Sequence, residues 1–133
     1  MMHWGWLFIP VLGLSMAVGS LPISGGTWDN ATLGEGLAYL QGLTWARTDA
    51  GRTVIVGHGD RAFAQLHTLH VGDRVALMMD GVEVINMVVY DMYWTTVDDV
   101  SLMTTPTDEW ELVLSTCSAD ESHRLIVRIR TVD

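Results

Sequence analysis

Residues 74–93, RVALMMDGVEVINMVVYDMY, decide the fold class of this chain. The run Arg74–Met79 is apolar and is typical of a β-strand. The pair Asp80-Gly81 follows, which is the dipeptide that a tight hairpin turn prefers, and residues 82–93 then supply a long return strand. The sequence therefore predicts an antiparallel hairpin at the centre of the chain.

Further strands are predicted on both sides of this hairpin. They lie at residues 7–10, 12–18, 53–56, 111–116 and 125–130, and the first two are joined at Pro10. Together with the hairpin they make about seven or eight short strands. A chain this short has few other ways to cover its strand edges, so we predict an all-β fold, a single closed or nearly closed β-barrel with short helices in the connections.

The connections contain the predicted helices. Thr32 is a candidate N-cap, with Glu35 at the capping-box spacing. Leu33, Leu37 and Leu40 then lie on one helical face, which predicts a short helix there. Residues 63–69 and 97–103 each predict one helical turn. A glycine-rich loop is predicted at residues 24–30.

The composition indicates one domain over residues 1–133. The chain has 133 residues, of which 49% are hydrophobic and 17% charged, a size and composition that suit one compact core. The apolar region at residues 4–21 is interrupted by Pro10, Gly13, Ser15 and Gly19, and it lacks the positive flank of a signal peptide. We therefore expect strands there, and any membrane anchor to be absent from this sequence.

The charged residues exclude several functions. Sixteen acidic residues against seven basic ones give a formal charge of −9, which disfavours nucleic acid as a partner. All seven basic residues are arginines. Without a lysine, the chain alone can form neither a Walker-type phosphate loop nor a Schiff base.

Three side chains at predicted strand ends suggest a reactive site. His58 follows the strand at 53–56, Cys117 follows the strand at 111–116, and Arg124 begins the last strand. If the strands at residues 53–56 and 111–116 point the same way, the thiol, the imidazole and the guanidinium share one rim of the barrel. Acyl transfer needs such groups: a thiolate nucleophile, an acid and base, and a cation for the oxyanion.

The same residues belong to a series of motifs that resembles the sortases, the cysteine transpeptidases that attach proteins to bacterial cell walls. Each motif is weak alone, but their order around the only cysteine is specific to that family. The motifs are LFIP at 7–10, Trp28-Asp29 with 33–43, VIVGH at 54–58, GDRV at 72–75, LVLSTC at 112–117 and SHRLIV at 122–127.

The resemblance implies a role for each candidate residue. Cys117 would cleave a Leu-Pro-x-Thr-Gly-like sorting motif after its threonine and form a thioacyl enzyme. His58 would be the general acid and then the base, and Arg124 would hold the substrate backbone and the oxyanion. Supporting roles in oxyanion stabilisation or substrate binding would fall to Thr116, Ser118, Trp94 and Trp110.

The resemblance also implies partners and a location. The substrates would be the sorting-motif peptide of a secreted protein and an amine acceptor such as a peptidoglycan precursor or a pilin. The reaction would take place at the extracytoplasmic face of the bacterial membrane or at the cell surface. We expect neither a cofactor nor a metal. Gly59-Asp60-Arg61 departs from the family, in which many members carry an arginine or asparagine directly after the histidine.

Other interpretations remain open at this point. The chain could be a catalytically inactive barrel that binds peptides, or a cysteine hydrolase with water as the acceptor. A lone cysteine is often only a small buried side chain. His58, His67 and His70 could suggest a metal site, although zinc usually requires three or four protein ligands with matched geometry.

Overall fold

The computed structural model describes residues 5–21, 36–40, 51–79, 85–99, 109–117 and 122–132. Within these ranges the chain forms eight strands and two short 3-10 helices, Pro10–Leu12 and Leu66–Thr68. The strands are β1 (Gly5–Ile9), β2 (Leu14–Leu21), β3 (Leu37–Leu40), β4 (Arg52–Gly57), β5 (Arg74–Met79), β6 (Ile85–Thr96), β7 (Glu111–Cys117) and β8 (His123–Thr131).

The strands close into a barrel in the order β1-β2-β3-β4-β7-β8-β6-β5. Strands β1 and β5 pair with each other and complete the closure. Two of the pairings, β2 with β3 and β4 with β7, are parallel, and the others are antiparallel. The predicted all-β barrel is confirmed, and all five strands predicted outside the hairpin are present.

Strands β4 and β7 are buried over almost their whole length. Every residue of β4 is buried, as is every residue of β7 except Cys117. Ile55 and Leu114 join the main core, while their neighbours Val54 and Val113 belong to a second buried cluster. A strand covered on both faces has a continuous apolar sequence, which explains the runs at 53–56 and 112–114. The two strands give the rim beyond them a rigid base.

The predicted helix at residues 32–40 is wrong over its described part. Leu37–Leu40 is strand β3, which pairs in parallel with β2 and antiparallel with β4. All four of its side chains are buried, including Tyr39. A short apolar run fits a buried strand and one turn of a helix equally well, and here the two neighbouring strands decide. Thr32 and Glu35 lie outside the described residues.

The central hairpin agrees with its prediction where it is described. Strands β5 and β6 pair antiparallel, from Arg74 opposite Val88 to Leu77 opposite Ile85, and the turn residues 80–84 lie outside the described part. The predicted turn at 63–69 contains the 3-10 helix Leu66–Thr68. Within the described ranges, no helix has the length and apolar character needed to cross a bilayer.

Candidate active site

His58 and Cys117 lie at the same rim of the barrel. Strands β4 and β7 run parallel with Val56 opposite Ser115, and this register, continued by two residues, sets His58 level with Cys117. His58 directly follows the last residue of β4, and Cys117 is the last residue of β7. The imidazole and the thiol are therefore carried by the ends of two adjacent, fully packed strands.

Gly59 lets the backbone after His58 pack directly against the end of strand β7. A Cβ built on Gly59 would lie 2.4 Å from the carbonyl oxygen of Cys117 and 3.1 Å from Oγ1 of Thr116. Only a residue without a side chain fits such an approach. The departure noted in the sequence thus has a steric reason, which is the contact between this loop and Cys117.

The loop that follows His58 is held by the core. The carbonyl of His58 accepts hydrogen bonds from the N–H groups of Arg61 and Phe63, each at 3.1 Å. The Phe63 side chain is almost fully buried in the main core cluster. The backbone of His58 is therefore tied to a packed aromatic side chain as well as to strand β4.

Arg124 lies opposite Cys117 on the neighbouring strand. The two residues are direct partners in the antiparallel pairing of β7 with β8. Nη2 of Arg124 donates a hydrogen bond to the carbonyl of Val97 at 2.9 Å, and the side chain lies close enough to Cys117 to interact with it. Burial lowers the pKa of Arg124, and this effect is partly offset by attraction to Cys117 and Asp99. The buried guanidinium of Arg124 thus lies beside the sulfur of Cys117.

Thr116 carries a buried hydroxyl beside these groups. Its side chain is 6% exposed, and its Oγ1 has no hydrogen-bond partner within the described parts of the chain. The same is true of Oγ of Ser115, which precedes it. A buried hydroxyl that lacks a partner is costly, and Oγ1 of Thr116 keeps hydrogen-bonding capacity that no described group uses.

The remaining candidates are placed differently. Trp94 is 50% exposed on β6, one residue before the partner of Arg124, so it borders the site. Trp110 is 4% exposed, donates from Nε1 to Oγ1 of Thr53 at 3.1 Å, and precedes the start of β7, at the end away from Cys117. Ser118 lies outside the described residues. The structure thus brings together His58, Cys117, Arg124 and Thr116, with Trp94 at their border and Trp110 remote.

Two contacts at this site escaped the sequence interpretation. The Val97 carbonyl and the Asp99 carboxylate both act on Arg124, but they belong to the turn after β6, far from it in sequence. Only the register of β6 with β8, which sets Thr95 opposite Arg124, reveals that they are close. Gly59 had a visible signal, a glycine directly after the histidine, although its packing role needed coordinates.

The histidines do not assemble a metal centre in the part of the chain that is described. His67 and His70 are exposed, at or just after the 3-10 helix Leu66–Thr68. Among the described side chains, no cluster of three or more histidine, cysteine, aspartate or glutamate residues could hold an ion.

A second polar cluster lies at the other end of β4 and β7. Arg52 and Glu111 begin these two strands and form a buried ion pair at 3.0 Å. Glu111 also binds Arg128 of β8 at 3.0 Å and accepts a hydrogen bond from the hydroxyl of Tyr90 on β6. We call Arg52, Glu111, Arg128 and Tyr90 the distal cluster, since it occupies the rim opposite Cys117.

Comparisons with known proteins agree with the fold and the motif order. Residues 7–132 match the family model described as the sortase domain. The lid mutant of sortase A from Corynebacterium diphtheriae superposes with a TM-score of 0.81 at 25% identity, over 97% of this chain and 69% of that one. The pilus-related sortase C of Group B Streptococcus gives 0.83 at 21% identity, over 99% and 68%.

A third solved structure, sortase C-3 from Streptococcus pneumoniae, has a TM-score of 0.81 at 26% identity and covers 96% of this chain and 62% of that one. The chain thus spans about two thirds of the length of these structures, and no curated protein sequence matches it. Because the family match extends over nearly its whole length, this chain belongs to the sortase family of cysteine transpeptidases.

Proposed function

We propose that this protein cleaves a Leu-Pro-x-Thr-Gly-like sorting motif through a thioacyl intermediate on Cys117 and transfers the acyl group to an amine. The observation that carries this proposal is the pairing of Cys117 with Arg124 across β7 and β8, at the rim where His58 ends β4. A nucleophile, an acid and base, and a cation are thus held on three adjacent strands.

The first half of the reaction forms the thioester. The thiolate of Cys117 attacks the threonine carbonyl carbon of the motif, and the carbonyl oxygen becomes an oxyanion. His58 in its protonated form gives a proton to the leaving glycine nitrogen as the carbon–nitrogen bond breaks. The amine product leaves, and the acyl group remains on the sulfur.

The second half transfers the acyl group. The neutral imidazole of His58 accepts a proton from the incoming amine, whose nitrogen attacks the thioester carbon. The carbon–sulfur bond breaks, the thiolate of Cys117 is restored, and a new amide has formed. No group outside the two substrates and the protein is needed for this balance.

Arg124 and Thr116 are assigned to the developing negative charge. The guanidinium of Arg124 interacts electrostatically with Cys117. It therefore lies within reach of negative charge on the sulfur and on an adjacent carbonyl oxygen. Burial of this cation strengthens its attraction to that charge, since little water is present to screen it. The partner-free hydroxyl of Thr116 supports a second donor role there.

The substrates and the location belong to the same proposal. We assign the peptide contact to the exposed ring of Trp94, which borders Arg124, and the acceptor to a peptidoglycan precursor or a pilin amine. Such substrates are found at the extracytoplasmic face of the bacterial membrane, which is where we place the enzyme.

The decisive experiment is intact-mass measurement with sorting-motif peptides. A Leu-Pro-x-Thr-Gly peptide should leave an acyl adduct of the protein that Cys117→Ala abolishes. Added glycine-type amine should release the peptide as the amide of that amine. His58→Gln should slow both steps by a factor of about 100 or more, the usual contribution of general acid–base catalysis.

The alternative functions give different results in the same experiment. An inactive peptide-binding barrel would bind the peptide equally well after Cys117→Ala and would form no adduct. A hydrolase would form the adduct but release only the free acid, whatever amine is added.

A further inference from the structure

The turn that follows β6 is closed by two hydrogen bonds. The N–H of Asp99 donates to the carbonyl of Thr96 at 3.1 Å. The hydroxyl of Thr95 donates to Oδ2 of Asp99 at 2.6 Å, so the carboxylate is hydrogen-bonded to the end of strand β6. A charge-assisted bond of this length fixes the shape of the turn.

This turn holds one side of the Arg124 guanidinium. Thr95 lies directly opposite Arg124 in the pairing of β6 with β8. The carbonyl of Val97, at the centre of the turn, accepts a hydrogen bond from Nη2 of Arg124 at 2.9 Å. The guanidinium is therefore held between Val97 on one side and Cys117 on the other.

The charges agree with this arrangement. The Asp99 carboxylate is close enough to raise the pKa of Arg124 against the lowering caused by burial. The neighbouring Asp98 is exposed, and it does not contribute to the pKa shift of Arg124. Two adjacent acidic residues thus differ in their relation to the guanidinium, which provides a matched pair for comparison.

We propose that Asp99 is a positioning residue for transpeptidation: bonded to Thr95, it fixes the turn whose Val97 carbonyl orients Arg124 towards Cys117. The inference rests on the proposed role of Arg124 at the oxyanion. A guanidinium displaced by about 1 Å still binds peptide but stabilises the transition state poorly, so the loss falls on kcat and not on KM.

The first test separates the charge from the hydrogen bond. Asp99→Ala removes both, Thr95→Val removes the bond and keeps the charge, and Thr95→Ser restores the hydroxyl. Asp99→Ala and Thr95→Val should lower kcat for a sorting-motif peptide by about tenfold or more, with KM changed less than about twofold. Thr95→Ser and the control Asp98→Ala should keep the wild-type kcat.

The second test does not depend on turnover. Iodoacetamide alkylates the thiolate of Cys117, and the alkylation rate at one fixed pH reports how reactive the sulfur is beside Arg124. Thr95→Val leaves His58, Arg124 and Asp99 unchanged in the sequence, yet it should lower that rate. Thr95→Ser should restore it.

The outcomes distinguish this inference from the proposed function. If the wild-type protein forms the peptide adduct while Asp99→Ala and Thr95→Val keep its kcat, the inference is overturned and the function stands. An equal loss in Asp98→Ala would likewise overturn it, because any acidic change in the turn would then suffice. If no sorting-motif peptide acylates the wild type, the function fails, and an unchanged alkylation rate in Thr95→Val overturns the inference separately.

Discussion

Gly59 is the residue at which the geometry of the site is most sensitive to one added atom. A methyl group there would meet the Cys117 carbonyl oxygen at 2.4 Å, and that oxygen belongs to the backbone of a packed strand. The loop after His58 must therefore move away from Cys117 if position 59 carries a side chain. The approach of the imidazole to the sulfur depends on this contact.

We therefore expect Gly59→Ala to lower the rate of thioacylation by about tenfold or more, since small displacements of reacting groups cost that much. The measurement is the single-turnover rate of adduct formation by intact mass. Gly36→Ala is the control, because a Cβ at Gly36 meets no atom of the described residues within 4 Å, and it should react at the wild-type rate. A wild-type rate in Gly59→Ala would show that the loop has room to adjust.

The sequence located the three candidate side chains at strand ends, but it did not reveal the residues that contact Arg124. His58, Cys117 and Arg124 each adjoin a strand end, and strand ends can be read from apolar runs. Asp99 and Val97 act on Arg124 through a turn whose shape and register have no local signature. Contacts of that kind depend on which strands become neighbours.

Strand β7 begins at a buried charge and ends at Cys117. Glu111 is 4% exposed and is shared by Arg52 and Arg128. Removal of one partner from a buried ion pair leaves a desolvated charge behind. Under the proposed function the two ends of this strand serve different purposes, stability at Glu111 and chemistry at Cys117.

We expect Glu111→Gln to lower the free energy of unfolding by about 3 kcal/mol, because the two arginines lose their shared carboxylate. Urea denaturation with an unchanged m-value would measure it. The control Glu109→Gln, at an exposed position, should change stability by less than about 0.5 kcal/mol. Folded Glu111→Gln should still be acylated at the wild-type rate, and a large loss of that rate would contradict the separation of the two ends.

The element that sequence reasoning misassigned shows where such reasoning fails. The run Leu37–Leu40 is too short for its apolar pattern to distinguish a helix from a buried strand. Its identity depends on parallel pairing with β2 and antiparallel pairing with β4, both of which are non-local. The run at residues 125–130 carried enough β-branched and alternating residues to be assigned correctly, and Arg74–Met79 was assigned through the Asp80-Gly81 turn signal that follows it.

At the scale of the whole molecule, the distal cluster joins four of the eight strands, β4, β6, β7 and β8. Burial, together with the hydrogen bond to Glu111, raises the pKa of Tyr90 above its ordinary value of 10.0. A group whose pKa is higher in the folded state stabilises the fold fully below the unfolded pKa. That contribution is lost as the pH rises through the folded value.

The barrel should therefore lose stability as the pH rises above about 10, in part through Tyr90. Tyr90→Phe removes the titrating phenol, so its free energy of unfolding should fall less steeply over that range than that of the wild type. Urea denaturation at several pH values measures both slopes. Equal slopes would mean that the Tyr90 phenol has the same pKa in the folded and unfolded chains.

The parallel pairing of β4 with β7 has a practical consequence for how the chain can be divided. The whole hairpin of β5 and β6 lies between these two strands along the chain, so one backbone cut in that interval would leave the imidazole on one fragment and the thiol on the other. If His58 and Cys117 act together as proposed, neither fragment acylates by itself. Any activity recovered on mixing would report reassembly of the two halves, and the protein could in this way serve as a split sensor of its own folding.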